Sequence, residues 1–331
     1  MKIAILNSSS FGKNFPEHIQ QLEEWGEVER FDVPTNIPAQ ELAELVAEHE
    51  IIISSVTPFF TREFFELKNN LKLISRHGIG YNNVDIAAAT EHGVAVTIVN
   101  PEIENDAVAE NAVAILMAEL RKVIPAERAT KTSNWSKRNT FLGMQLREKT
   151  VGVIGFGNIG SRVGEILKGG FKVRLLVFDP YAKEERLLNA GAEQVELDYL
   201  LEHSDVISLN AKVTPESKYM ISDREFDLMK DGVYITNTAR GELFDEDALC
   251  RALDSGKLAG LSMDVVENEP IDSSHRLLQY DNVLITPHIS AYTKECLYGM
   301  GDKVVSDVVN ILTGKVPDVL VNPEVFELQP A

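Results

Sequence analysis

Short apolar runs rich in Val, Ile and Leu alternate along this chain with longer segments whose apolar side chains recur every three or four residues. The first hundred residues give strands over Ile3 to Leu6, Val28 to Phe31, Ile51 to Val56, Leu71 to Ile74 and Ala95 to Val99. Between them lie helical stretches, Glu17 to Trp25 and Ala39 to Ala47, the second with Leu42, Leu45 and Val46 on helical spacing. Alternation of this kind predicts parallel α/β units, whose strands are buried on both faces and so read as continuous apolar runs.

A long helical run, Ala107 to Leu120, follows; then comes Lys131 to Phe141, where Trp135 sits among Ser, Asn, Lys and Arg and an exposed connection is expected. From Thr150 the alternation resumes, with strands at Thr150 to Ile154, Val173 to Phe178, near Val195, Val206 to Leu209, Val233 to Thr236, Gly260 to Met263 and Val283 to Ile285. The tail holds one helix with Val304, Val305, Val308, Val309 and Leu312 on one face, too little for a domain, and is expected to pack back on the first. The pattern therefore predicts an α/β protein of two doubly wound parallel-sheet domains, one inserted in the other. Residues 1–99 with 291–331 form the outer domain and 100–290 the inserted one.

The inserted domain opens on the most informative stretch. The strand Thr150 to Ile154 runs into Gly155-Phe156-Gly157-Asn158-Ile159-Gly160, then a helix-like run and a second strand ending in Asp179-Pro180. A phosphate-binding turn needs that order: the first glycine lets the strand turn, the second lets a pyrophosphate approach bare backbone, and the third lets the helix pack close, with its first N–H groups holding the anion. Asp179 lies 19 residues after Gly160, where a carboxylate can accept from both ribose hydroxyls and repel a 2′-phosphate. The reading is a Rossmann domain that binds NAD.

Composition narrows the function. Lys+Arg 32 against Asp+Glu 51 gives a net charge of −19, which opposes nucleic acid and anionic membrane and requires a local cation wherever an anionic substrate binds. No apolar run reaches the length of a membrane span and the N-terminus carries no signal-peptide pattern, so a cytoplasmic address is expected. Cys250 and Cys296 form no C-x-x-C pair, and the seven histidines lack paired ligand spacing, so no metal site is expected.

Ligands of open parallel sheets sit beyond the carboxyl ends of the strands. Three such ends carry chemistry: Asn237-Thr238-Ala239-Arg240-Gly241, Asp264-Val265-Val266-Glu267-Asn268-Glu269-Pro270, and Thr286-Pro287-His288. Arg240 offers a planar fork that matches a carboxylate, although alone it reads equally as a surface arginine. His288 can titrate near neutral pH. Glu269 could raise its pKa through a hydrogen bond, with Glu267 as the rival for that role. Gly78-Ile79-Gly80, after an earlier strand, is a further turn with exposed backbone N–H groups.

Taken together, V-G-V-I-G-F-G-N-I-G, N-T-A-R-G-E-L-F-D-E-D-A-L, D-V-V-E-N-E-P and T-P-H resemble the D-isomer-specific 2-hydroxyacid dehydrogenase family, as do R-H-G-I-G-Y-N-N-V-D (Arg76 to Asp85) and V-A-E-N (Val108 to Asn111). The resemblance implies that Arg240 binds a substrate carboxylate, that His288 exchanges a proton with the C2 oxygen, and that Glu269 keeps His288 protonated. It implies that Gly78, Ile79 and Gly80 contact the carboxylate through backbone. Asn158 and Ile159, beside Gly155, Gly157 and Gly160, would meet the pyrophosphate, Asp179 the ribose, and Thr238, Ala239 and Asp264 the nicotinamide half. A flavodoxin-like substrate domain and a homodimer built through the inserted domain are also implied.

Two departures shape the expectation. Asn210-Ala211-Lys212 stands where the family often has His-x-Pro; Ala211 and Lys212 are still expected to approach the cofactor through backbone, and the charge of Lys212 leaves some use of NADP open. Ser290-Ala291-Tyr292 replaces the usual Gly-Gly, and the resulting H-x-x-x-Y-T is similar to the D-lactate dehydrogenase branch, in which an aromatic group, here Tyr292, closes the pocket. The expected reaction is NADH-dependent reduction of a small, pyruvate-like 2-keto acid. Hydroxypyruvate or glyoxylate reduction, a phosphoglycerate dehydrogenase-like activity, and an NADH-sensing corepressor-like binding protein are the alternatives. The chain stops at Ala331, so no regulatory domain of the kind many phosphoglycerate dehydrogenases carry is expected.

Overall fold

The structure, a computed structural model, describes residues 1–327; the last four positions of the expected segment 291–331 lie outside them. The chain divides into two compact units, Met1–Glu104 together with the chain from Thr293 onward, and Asn105–Tyr292. The helix Pro101–Leu120 carries the chain from the first unit into the second.

The first unit is a five-stranded parallel sheet of β1 (Lys2–Leu6), β2 (Glu27–Phe31), β3 (His49–Ser54), β4 (Leu73–Arg76) and β5 (Ala95–Thr97), in the order β2-β1-β3-β4-β5. That is the flavodoxin-like order, with its reversal between β1 and β3. Successive side chains of β1 go to opposite faces. Ile3 and Ile5 pack with Ile51, Ile53 and Leu73 against Val304, Val305 and Val308 of the helix Lys294–Leu312, so the tail does return to the first unit. Ala4 and Leu6 pack on the other face with Ile52, Ile74, Phe64 and Phe65.

Two strands sit about two residues from where the apolar pattern places them: β3 begins at His49 rather than Ile51, and β4 runs Leu73–Arg76 rather than Leu71 to Ile74. In β4 the polar residues extend the buried strand because their polar atoms find internal partners. Ser75 Oγ donates to Asp307 at 3.1 Å and Arg76 Nη1 donates to the Ser54 carbonyl at 3.1 Å.

The second unit holds seven parallel strands, β6 (Thr150–Ile154), β7 (Arg174–Phe178), β8 (Glu193–Gln194), β9 (Val206–Leu209), β10 (Val233–Asn237), β11 (Leu258–Met263) and β12 (Val283–Ile285). Their order, β12-β11-β10-β9-β6-β7-β8, is the doubly wound dinucleotide-binding order with one strand added at an edge. The reversal falls between β6 and β9, which opens a crevice at their carboxyl ends. The connection before β6 is a helix, Val123–Lys131, and a 3-10 turn, Trp135–Thr140, neither with a buried residue. No helix among the described residues is long and apolar enough to cross a membrane.

Candidate active site

Each glycine of the turn after β6 is required for a separate reason. Gly155 has φ +85°, and a Cβ there would lie 2.6 Å from the Ala211 nitrogen, so the turn runs directly against the segment that follows β9. Gly160 faces the Gly155 carbonyl, into which a side chain would collide. Gly157 caps the helix Asn158–Phe171 and has nothing within 4 Å of its Cβ position: its backbone borders open space, as an approaching pyrophosphate requires. Ile159 lies in the first turn of that helix, and Asn158 Oδ1 accepts from Arg186 Nη2 at 2.6 Å.

Asp179 follows β7 and reaches back to the turn, its two carboxylate oxygens accepting from Phe156 N at 2.7 Å and Tyr181 N at 2.8 Å. The acid is thus fixed beside the glycines. Lys212 has an exposed side chain, and its carbonyl accepts from Ser217 Oγ at 2.7 Å.

Beyond β10 the chain is shaped by Asn237, which is fully buried: its Oδ1 accepts from Ala239 N at 2.9 Å and its Nδ2 donates to the Arg240 carbonyl at 2.8 Å. A Cβ on Gly241 would run into the backbone of Val266 and Glu267, so the Arg240 turn packs tightly on the loop that carries Glu269. Arg240 Nη1 donates to the Ala239 carbonyl at 2.6 Å. Thr238 is 8% exposed and its hydroxyl has no protein partner, an orphan that calls for a ligand atom.

His288, three residues past β12, has φ 55°, a left-handed conformation that costs a non-glycine residue about 1 kcal/mol or more. Asp264 holds it there. Its carboxylate, 1% exposed as a residue, accepts from Thr286 Oγ1 (2.5 Å), Ile289 N (2.9 Å), Ser290 N (2.7 Å) and Ser290 Oγ (2.5 Å). The Asp264 side chain, which the family resemblance assigns to the nicotinamide half, is therefore committed to the segment around His288. Asn111 Nδ2 adds a 2.8 Å bond to Ser290 Oγ from the long helix.

His288 Nδ1 meets Glu269 Oε2 at 2.8 Å. That hydrogen bond raises the His288 pKa above its ordinary value, outweighing burial and the nearby charge of Arg240, which push it down. For Glu269, burial pushes the pKa up, but the bond to His288, their charge attraction and a bond from Val266 N at 2.8 Å outweigh it and the net shift is downward. Both shifts favour imidazolium beside carboxylate, with Nε2 left as the transferable end. Glu267, the rival acid, instead accepts from the Tyr219 hydroxyl at 2.8 Å. Tyr292 closes the turn after His288 by donating its N–H to the Ile289 carbonyl at 2.8 Å.

In the first unit, the loop Gly78-Ile79-Gly80 follows β4 and is pinned by its carbonyls. Gly78 O accepts from Val99 N at 3.2 Å, and Gly80 O accepts from Arg76 Nε at 2.7 Å and from Arg76 Nη2. Among the described residues the Ile79 and Gly80 N–H groups have no protein acceptor, which is the arrangement of an anion-binding nest.

The supports of the site escape sequence reading. Asn237, Asn111, Ser290 and Arg76 act through bonds to backbone or to residues far along the chain, and the only local signal is an asparagine ending an apolar strand, where side-chain turns are common.

Residues 113–290 match the family described as D-isomer specific 2-hydroxyacid dehydrogenase, NAD binding domain. A D-3-phosphoglycerate dehydrogenase of Archaeoglobus fulgidus is 38% identical over 86% of this chain, which spans only 53% of that protein. A glyoxylate reductase of Thermococcus litoralis is 34% identical over 96% of this chain and 97% of its own length. Among solved structures, the apo D-lactate dehydrogenase of Escherichia coli superposes with a TM-score of 0.85 at 35% identity, covering 97% of this chain and 100% of that one.

Proposed function

Because the chain belongs to the D-isomer-specific 2-hydroxyacid dehydrogenase family, NAD-dependent oxidoreductases acting on a CH–OH group, we propose that it reduces a small 2-keto acid to the D-2-hydroxy acid, with pyruvate the preferred substrate. The observation that carries the reading is the His288–Glu269 pair, a proton donor biased toward its charged form, on the sheet edge that also bears Arg240. The NAD half fits the residues present: open backbone at Gly157 beside a helix start, Asp179 fixed at the turn, and the orphan hydroxyl of Thr238.

NADH, when bound, would supply the hydride. Arg240 holds the substrate carboxylate with its guanidinium fork and so orients the carbonyl. As C2 is reduced, His288 Nε2 gives its proton to the C2 oxygen and becomes neutral; solvent then restores the proton, and the reverse reaction begins from neutral His288. Glu269 stabilises the imidazolium, and Asp264 keeps the ring in its left-handed seat. Within the first unit, the N–H groups of Ile79 and Gly80 offer a nest for a carboxylate. Arg30 and Arg76 of the first unit donate to the carbonyls of Ser8, Phe11, Ser54 and Gly80, which supports an unphosphorylated substrate over a phosphorylated one.

The same reading takes the protein as a cytoplasmic homodimer. Both cysteines are buried free thiols, and the second unit displays Val123, Ile124, Trp135 and Leu142 to solvent, an apolar stretch suited to a second copy.

The test is a panel of pyruvate, phenylpyruvate, hydroxypyruvate and glyoxylate with NADH, read as loss of reduced-nicotinamide absorbance. Turnover highest on pyruvate is expected, with His288→Ala reducing it strongly while NADH still binds. Binding of NADH with no turnover on any acid would instead favour an NADH-sensing binding protein.

A further inference from the structure

We infer that Arg76 is the positioning residue of the carboxylate-binding loop: it turns the carbonyls of that loop inward so that the N–H groups face the substrate. The inference rests on the reductase reading above. Arg76 ends β4 and is 2% exposed, although arginine is rarely buried so deeply. Its guanidinium bridges two strand ends. Nη1 donates to the Ser54 carbonyl at the end of β3, while Nε and Nη2 both donate to the Gly80 carbonyl. A planar fork can hold one carbonyl with two parallel donors; a lysine ammonium on a flexible stem cannot reproduce that geometry.

The consequence lies in the loop itself. Gly78 has φ 153°, and its Cβ position would be 3.5 Å from Arg76 Nη2, so the chain passes close over the guanidinium and no side chain intervenes. With Gly78 O taken by Val99 N and Gly80 O by Arg76, both flanking carbonyls are occupied beneath the loop. The N–H groups of Ile79 and Gly80 remain for an external anion. Without the Arg76 fork, the Gly80 carbonyl loses its anchor and can swing toward the incoming carboxylate, replacing attraction with repulsion. The side chain thus acts on substrate binding through backbone that it never exposes, and it takes no part in hydride or proton transfer.

Arg76→Met and Arg76→Lys separate this role from simple stabilisation. Wild type and both variants are compared in steady-state reduction of the best keto acid, in inhibition by oxamate, a small carboxylate isosteric with pyruvate, in NADH binding and in thermal midpoint. Arg76→Met should raise KM and the oxamate inhibition constant by about tenfold or more, with kcat within about threefold and NADH affinity unchanged; Arg76→Lys should fall between. If the methionine variant does not fold, the lysine variant alone is read by the same criterion. Unaltered KM and oxamate inhibition in a folded variant overturn the assignment, as does a fall in kcat and NADH affinity in step with stability. Absence of turnover in the wild type would instead overturn the reductase reading on which it rests.

Discussion

Replacing Glu269 by Gln should move the alkaline limit of keto-acid reduction to lower pH. His288 Nδ1 and Glu269 Oε2 are 2.8 Å apart, and two unit charges about 4 Å apart attract by about 4 kcal/mol at an effective dielectric near 20. The side chains are 42% and 34% exposed, so water screens most of this; retaining roughly a third leaves ~1.4 kcal/mol of charge attraction. The amide adds a second effect. Glu269 Oε1 accepts from Val266 N, so a glutamine keeps its oxygen there and turns its NH2 toward His288 Nδ1. That arrangement favours an unprotonated Nδ1 and further opposes the imidazolium. The sign follows directly. His288 has a raised pKa in the folded enzyme, so the donor is charged up to pH values above about 6.5, and reduction falls as pH rises through the folded pKa. Loss of Glu269 brings that fall to lower pH, leaving the low-pH plateau nearly in place. The assay is kcat/KM for keto-acid reduction across pH at saturating NADH. A limb that coincides with wild type, or shifts to higher pH, refutes the coupling.

Two further substitutions test the supports. Asp264→Asn leaves only one side-chain acceptor where four donors now converge, so it should destabilise the second unit by about 2 kcal/mol in urea unfolding and lower kcat more than NADH affinity; an unchanged kcat contradicts the holding role. Gly155→Ala combines φ +85° with a Cβ 2.6 Å from Ala211 N and should weaken NADH binding about tenfold in a fluorescence titration. Undiminished affinity would place the cofactor elsewhere.

Much of this architecture was legible because parallel strands buried on both faces write themselves as apolar runs, and because three glycines and a distal acid recur at spacings that chemistry demands. The seven strands of the second unit and the turn at Gly155 were readable for that reason. Strands that continue through polar residues were not. Ser75 and Arg76 belong to β4 only because Asp307, Ser54 and Gly80 satisfy them, partners up to 232 positions away. The same holds at the site. Arg240, Glu269 and His288 stand in recognisable local patterns, whereas the left-handed seat of His288 and its tether to Asp264, Ser290 and Asn111 are products of tertiary contact, and histidine carries no local preference strong enough to announce φ 55°.

The return of the tail to the first unit sets an order for biosynthesis. One face of the first sheet, with Ile3, Ile5, Ile51, Ile53 and Leu73, is covered by Val304, Val305 and Val308 of the helix Lys294–Leu312. A ribosome makes those strands before that helix, with the whole second unit, about 190 residues, between them. At roughly 10 residues per second the nascent sheet waits about 20 seconds with one apolar face uncovered, while the second unit can already complete its own core. The first sheet is therefore made before the second unit yet completes its core after it, and its uncovered face is a stretch on which a cell's chaperones have reason to act.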